Sequence, residues 1–257
     1  MMIMNAEKKY SSQYFKQNFP EWKRKKDSVL LKYFYRPLSF YVASFACHLG
    51  LTSNRVSFIS LLIAILGCVA FIPNNITANL LGCILITIWM VLDCVDGNLA
   101  RCVKSYPYGE FIDAISSYTL IAFLFPCIGV AAYLNAGVLT HSSCIWLIFI
   151  GGLTGVFDSL SRLCYQKYQN NSLDYEKNSL KSDKGEAIKK ESTLLKINDR
   201  INKEIALNGL LIPWLYVATI THTYDLFVTF YFLYYGATFL GTLIILIKKS
   251  KCLKKER

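Results

Sequence analysis

Four side chains near the middle of the chain have the types and spacing to do chemistry: Asp93, Asp96, Asp113 and Ser117. Asp93 and Asp96 are three residues apart, so in a helix they share one face. Gly97 and Ala100 extend that face as a small-residue patch, and Arg101 follows. Seven residues then lead to Gly109, with Asp113 four residues beyond it and Ser117 four beyond that. Two helices joined by so short a connection lie side by side and bring their carboxylates together. Three uncompensated carboxylates in one desolvated place repel one another. A divalent cation relieves that repulsion, and hard oxygen ligands suit Mg²⁺ or Mn²⁺. Gly97, Ala100 and Gly109 remove side-chain bulk, so a flat base or a diphosphate can approach the backbone. The chemistry implied is a metal–diphosphate site at a membrane boundary. Singly, each residue has a blander reading: a solvated helix-end Asp, or a Gly-x-x-Ala packing pair. In this order, within 25 residues, the pattern is far more specific.

The elements that must hold these residues are membrane helices. Of the 257 residues, 54% are hydrophobic and 18% charged, and mean hydropathy is +0.34. A soluble domain carries about a quarter charged residues. The composition excludes general disorder. Nine cysteines without a CxxC pair exclude a disulfide-stapled mini-domain. Apolar runs long enough to span a bilayer fall near 55–73, 77–97, 111–134, 144–164, 205–221 and 224–247. The fold class expected is therefore all-α, a polytopic membrane protein with six transmembrane helices. Residues 28–48 mix aromatics with Lys32 and Arg36, which predicts an amphipathic helix in the interface, broken near Pro37. An extra buried helix is the alternative there.

All 28 Lys and Arg residues fall on one side of the six-span arrangement, and the loops near 73–76, 135–143 and 221–223 carry none. Basic residues collect on the cytoplasmic side, so both termini and the aspartates are expected there. The expected location is integral and multi-pass, in the inner (cell) membrane if the source is bacterial. The +11 balance follows from this rule and from anionic headgroups. No aromatic-basic groove accompanies it, so no nucleic-acid partner is expected. Three parts follow: a cytoplasmic and interfacial segment 1–54, a six-helix catalytic domain 55–248 with a polar, partly helical insert near 165–204, and a basic tail 249–257.

The run Asp93-x2-Asp96-Gly97-x2-Ala100-Arg101…Gly109-x3-Asp113 resembles the signature of the CDP-alcohol phosphatidyltransferase family. Weaker similarity lies upstream, in Arg36-Pro37-Leu38-Ser39 and Leu51-Thr52-Ser53-Asn54-Arg55-Val56. The resemblance implies a transferase of phospholipid biosynthesis or related metabolism. It would move a phospho-alcohol from a CDP-linked donor to a lipid, polyol or glycan hydroxyl, with release of CMP. It implies that Asp93, Asp96 and Asp113 bind Mg²⁺ or Mn²⁺, that Gly97, Ala100 and Gly109 line a cytidine pocket, and that Arg101 sits near the phosphates or braces an aspartate. A homodimer among membrane lipids is usual in that family.

Two departures stand out. The Arg101–Gly109 linker holds seven residues where the family usually has eight, and the family's fourth aspartate, its general base, is Ser117. A serine does not accept a proton near neutral pH as a carboxylate does. Three alternatives stay open: catalysis without that base, substitution by another group such as Glu110, or reduced activity. Asn54 either caps the first span or touches the nucleotide. Arg162, following Asp158, is an anchor or a phosphate ligand, and His48, His141 and His222 have no partner at metal spacing. Rival functions are a catalytically impaired membrane scaffold or nucleotide-binding protein, and a small cation-coupled transporter. Carboxylates near one membrane face fit the transporter less well.

Overall fold

A computed structural model describes residues 10–179, 205 and 209–255. Among the described residues all regular structure is helical. Two short helices, α1 (Ser12–Asn18) and α2 (Glu21–Lys26), open the chain. A π-helical turn, Leu31–Tyr35, runs straight into α3 (Arg36–His48). Then come α4 (Ser53–Val69), α5 (Ile76–Cys102), α6 (Gly109–Leu134), α7 (Trp146–Ser179), α8 (Leu211–Thr221) and α9 (Tyr224–Lys255).

Four helical segments are long and apolar enough to cross a membrane: Ile76–Cys102, Gly109–Leu134, Trp146–Asn170 and Tyr224–Lys248. A fifth is reached by joining Leu31–His48 to Ser53–Val69 across a 118° bend. The described residues of this membrane protein thus hold four or five such spans where six are expected. The shortfall has a simple cause. Helix α4 has 17 residues and α8 only 11, and at 1.5 Å per residue α8 covers roughly 16 Å of a hydrocarbon core about 30 Å thick.

The break expected near Pro37 is also displaced. Pro37 lies two residues beyond the π-helical turn, and the helix runs on through it to His48 without a break. The chain turns instead between α3 and α4, where Gly50 takes φ +67°, a left-handed conformation that suits glycine. Thr52 then caps α4 by accepting from the Arg55 N–H at 3.4 Å, so the cap is not Asn54. The insert begins as a continuation of α7 to Ser179, and 180–204 lie outside the described residues. The basic tail continues α9 to Lys255.

Close packing relies on missing side chains. A Cβ at Gly82 would meet the Phe71 ring at 2.7 Å and the Gly67 carbonyl at 2.9 Å, which lets α5 lie against α4. Gly129, Gly151 and Gly155 do the same between α6 and α7. Helix α9 seals the bundle with rings: Phe227, Tyr231 and Tyr235 gather around Phe125, and Phe232 and Phe239 around Phe157. The 27 residues of α5 extend about 40 Å, longer than the hydrocarbon core, so an end of it stands at headgroup depth. The aspartates lie toward that helix's C-terminal end.

Candidate functional site

The site forms where the C-terminal end of α5 meets the N-terminal ends of α4 and α6. Asp93 on α5 and Asp113 on the first turns of α6 lie close enough for their carboxyls to interact. The repulsion of two such carboxyl groups is relieved by a proton or a cation between them. The Asp113 carboxyl points toward Asp93 although the residue is exposed, and α5 and α6 scarcely touch, since α4 packs against both. Asp96 is 3% exposed and is held separately. Its Oδ2 accepts from Ser57 Oγ at 2.5 Å, and its backbone carbonyl accepts from Ser53 Oγ at 3.0 Å.

A second relay lies beneath. Ser60 Oγ donates to the Ser57 carbonyl at 2.7 Å and sits 3.0 Å from Ser116 Oγ, which accepts from Trp89 Nε1 at 2.9 Å. Ser53, Ser57 and Ser60 are fully buried and fall on one stripe of α4. They tie α4 to α5 and α6 at the depth of the carboxylates. Sequence reasoning passed over them, although three serines at helical spacing inside an apolar run were a readable signal. Ser57→Ala strands the buried Asp96 oxygen, and a hydrogen bond to a charged group is worth about 1.5–3 kcal/mol. The expected loss of stability is of that size, read as a lowered thermal midpoint in detergent.

The remaining candidates divide. A Cβ on Gly97 would lie 2.5 Å from Arg101 Nη2, so the Arg101 guanidinium folds back over Gly97 onto the aspartate face. The nearest atom to a Cβ on Gly109 would be Asn54 Oδ1, at 3.5 Å. That oxygen is buried and has no hydrogen-bond partner among the described residues. Ala100 is half-buried on the same helix. Ser117 is half-buried, and its Oγ donates to the Ala114 carbonyl of its own helix at 3.1 Å. Glu110 is exposed. Arg162 is engaged by Asp158 at 2.7 Å and lies over the Tyr118 ring. His222 ends α8 in a left-handed conformation, far in sequence from the aspartates.

Among the described residues, no three His, Cys, Asp or Glu side chains are set as a metal-holding group. The donor chemistry nonetheless fits a hard cation: Asp93 and Asp113 face each other, and Asp96 stands one helical turn from Asp93 with its Oδ2 on Ser57.

Basic groups ring the same end. Burial, with the nearby charges of Arg101 and Arg36, pushes the Lys23 amine below the usual lysine range, while Asp27 and Asp93 pull it upward.

The family model for CDP-alcohol phosphatidyltransferases matches residues 50–195, more than half of the 257-residue chain. No curated protein matches the chain. The matched stretch contains α4, α5 and α6 with Asp93, Asp96 and Asp113, and the chain belongs to the CDP-alcohol phosphatidyltransferase family.

Proposed function

We propose that this phosphotransferase moves a phospho-alcohol from a CDP-linked donor to an acceptor hydroxyl, releasing CMP, with Mg²⁺ or Mn²⁺ as cofactor. The observation that carries the reading is the approach of the Asp93 and Asp113 carboxyls, with Asp96 one turn away, from two apolar helices that both pack on α4. Asp93, Asp96 and Asp113 would hold the metal, whose chemistry would be to neutralise the diphosphate and polarise its phosphorus. Gly97, Ala100, Gly109 and Asn54 would receive the nucleotide. The unpartnered Asn54 Oδ1 suits an exocyclic amine, which is a hydrogen-bond donor. In the reaction the acceptor oxygen bonds to the phosphorus bearing the alcohol, and the bond to the bridging oxygen breaks and leaves with CMP. With Ser117 bound to its own helix, Asp113 is the exposed carboxyl placed to take the hydroxyl proton. Positioning and charge stabilisation supply most of the rate.

The placement in the membrane follows from the charges. Counting α4 and α8 each as a crossing beside the four long spans puts both termini and the site on the cytoplasmic side and leaves α1 to α3 in the interface. Phe34, Leu38, Tyr41 and Phe45 of the π turn and α3 are exposed at helical spacing, an apolar face suited to lipid. A homodimer would follow the family pattern.

The Ser117 hydrogen bond favours a second reading, a member that binds CDP without turning it over. One experiment separates the two. Full-length protein in lipid nanodiscs with Mn²⁺ or Mg²⁺, given a panel of CDP-alcohols and hydroxyl acceptors, is expected to release CMP, and EDTA to stop it. CDP binding with no release across the panel supports the second reading. Neither binding nor release overturns both.

A further inference from the structure

The short helices α1 and α2 carry different chemistry on their two faces. The inner face is fastened to the bundle. Phe15 and Phe19 are buried. Tyr14 Oη donates to the Cys102 carbonyl at 2.9 Å. The Arg36 and Arg101 guanidiniums lie 4.6 and 5.7 Å from the centre of the Phe19 ring, and Asp27 pairs with Arg36 at 3.0 Å. This face covers the C-terminal end of α5.

The outer face is basic and open. Glu21, Arg24 and Lys25 share one side of α2, and with Lys32 of the π turn they line a groove of about 280 Å³. Arg24, Lys25 and Lys32 are exposed. None of the three is in an ion pair among the described residues, where the pairs are Arg36–Asp27 and Arg162–Asp158. Three cations and one carboxylate leave the groove two charges positive. Arg24 is steadied by its Nη2, which donates to the Lys16 carbonyl at 3.3 Å. At Lys32 the groove borders the apolar side of the segment. Lys32 Nζ lies 5.2 Å from the centre of the Tyr33 ring. Tyr33 and Phe34 begin the exposed apolar face that runs on through Leu38 and Tyr41. A cationic groove that opens onto an apolar helix face is complementary to an amphiphile with an anionic head. A nucleotide or a free phosphate has no apolar half to lay on that face.

We infer that this groove is a binding site for one anionic phospholipid, whose phosphate lies among Arg24, Lys25 and Lys32 while its acyl chains run along Tyr33, Phe34 and Leu38. The lipid is a resident of the surrounding leaflet, neither donor nor acceptor of the transfer. Basic segments attract anionic leaflets in general, but that attraction is spread over a surface, whereas the groove holds one lipid at one place. Its occupancy fastens from outside the same segment that covers the carboxylate end from inside. The inference rests on the interfacial placement of α1 to α3 proposed above and is independent of the transfer reaction.

The test is native mass spectrometry of the full-length protein in detergent, titrated with phosphatidylglycerol or with phosphatidylcholine of the same acyl chains. The first phosphatidylglycerol is expected to bind at least about tenfold more tightly than phosphatidylcholine, as two net charges imply. Lys25→Gln and Lys32→Gln are each expected to weaken it about fivefold, the scale of one cation at an anionic surface, and Glu21→Gln to strengthen it by a similar factor. Lys167→Gln removes an exposed lysine of α7 that does not line the groove, and is expected to leave the binding unchanged. All four positions are exposed, and matching thermal midpoints check that the variants fold. Should one of them lower the midpoint, the others decide. Absence of a preference for phosphatidylglycerol overturns the site. So does a preference that Lys25→Gln and Lys32→Gln leave intact, or that Lys167→Gln weakens equally. Displacement of the lipid by inorganic phosphate at the same concentration would reduce the groove to an anion patch, and displacement by CDP with Mn²⁺ would move the lipid to the carboxylate site. Either result overturns the proposal.

Discussion

Asp93→Asn protein is expected to insert and purify like wild type yet release CMP at least about 10²–10³ times more slowly, the usual scale for removing one electrostatic contact to a reacting group. The reasoning starts from the geometry. Asp93 is the member of the trio whose carboxyl approaches one on another helix, that of Asp113. An amide in its place is isosteric and can still donate a hydrogen bond toward Asp113. What disappears is one of the negative charges that would hold a divalent cation. Isothermal titration of CDP with and without Mn²⁺ checks the point apart from turnover: metal-dependent tightening should vanish. Unchanged metal dependence would remove Asp93 from the site. Asp96→Asn is a harsher change to interpret, because Ser57 and Ser53 both bond that residue and the fold leans on it.

Gly151→Val is expected to destabilise the bundle by several kcal/mol, whereas Gly152→Val next to it changes stability by less than about 0.5 kcal/mol, as surface substitutions usually do. A Cβ on Gly151 would lie 2.5 Å from the Phe125 carbonyl oxygen and 3.4 Å from the Gly129 Cα. These are backbone atoms, so α6 and α7 must separate to admit it. Overpacking of this kind costs about 1–3 kcal/mol and sometimes more, and losing the shared seam adds to it. A Cβ on Gly152 meets nothing within 4 Å. Thermal denaturation in matched detergent compares the two variants directly, and equal midpoints would contradict the packing described for α6 and α7.

What the sequence disclosed follows from the range of the forces involved. Asp93, Asp96 and Asp113 were legible because local spacing fixes a helix face and the short linker brings the start of α6 to the end of α5. The long spans were legible from hydropathy alone. A proline was read as a break, yet the helix runs through Pro37 to His48, and the chain reverses at the left-handed Gly50, between the segment ending at 48 and the span beginning at 55. Asn54 was first read as a cap because its type suits one, yet Thr52 occupies that place. The Arg36–Asp27 pair and the Phe19 platform depend on how α1, α2 and α3 fold over the end of α5. No local periodicity reports such an arrangement. Ser53, Ser57 and Ser60 are an intermediate case: the stripe is local, but its partners on α5 and α6 are not.

That serine stripe has a mechanical consequence. Hydrophobic surfaces slide past one another at little cost, because any apolar contact replaces any other. Directional bonds from α4 to Asp96, and onward through Ser116 to Trp89, fit at a single axial offset. A slip of one residue, about 1.5 Å along the axis, would break them together. The stripe thus serves as a depth gauge, fixing the level of the acidic residues along the bundle axis.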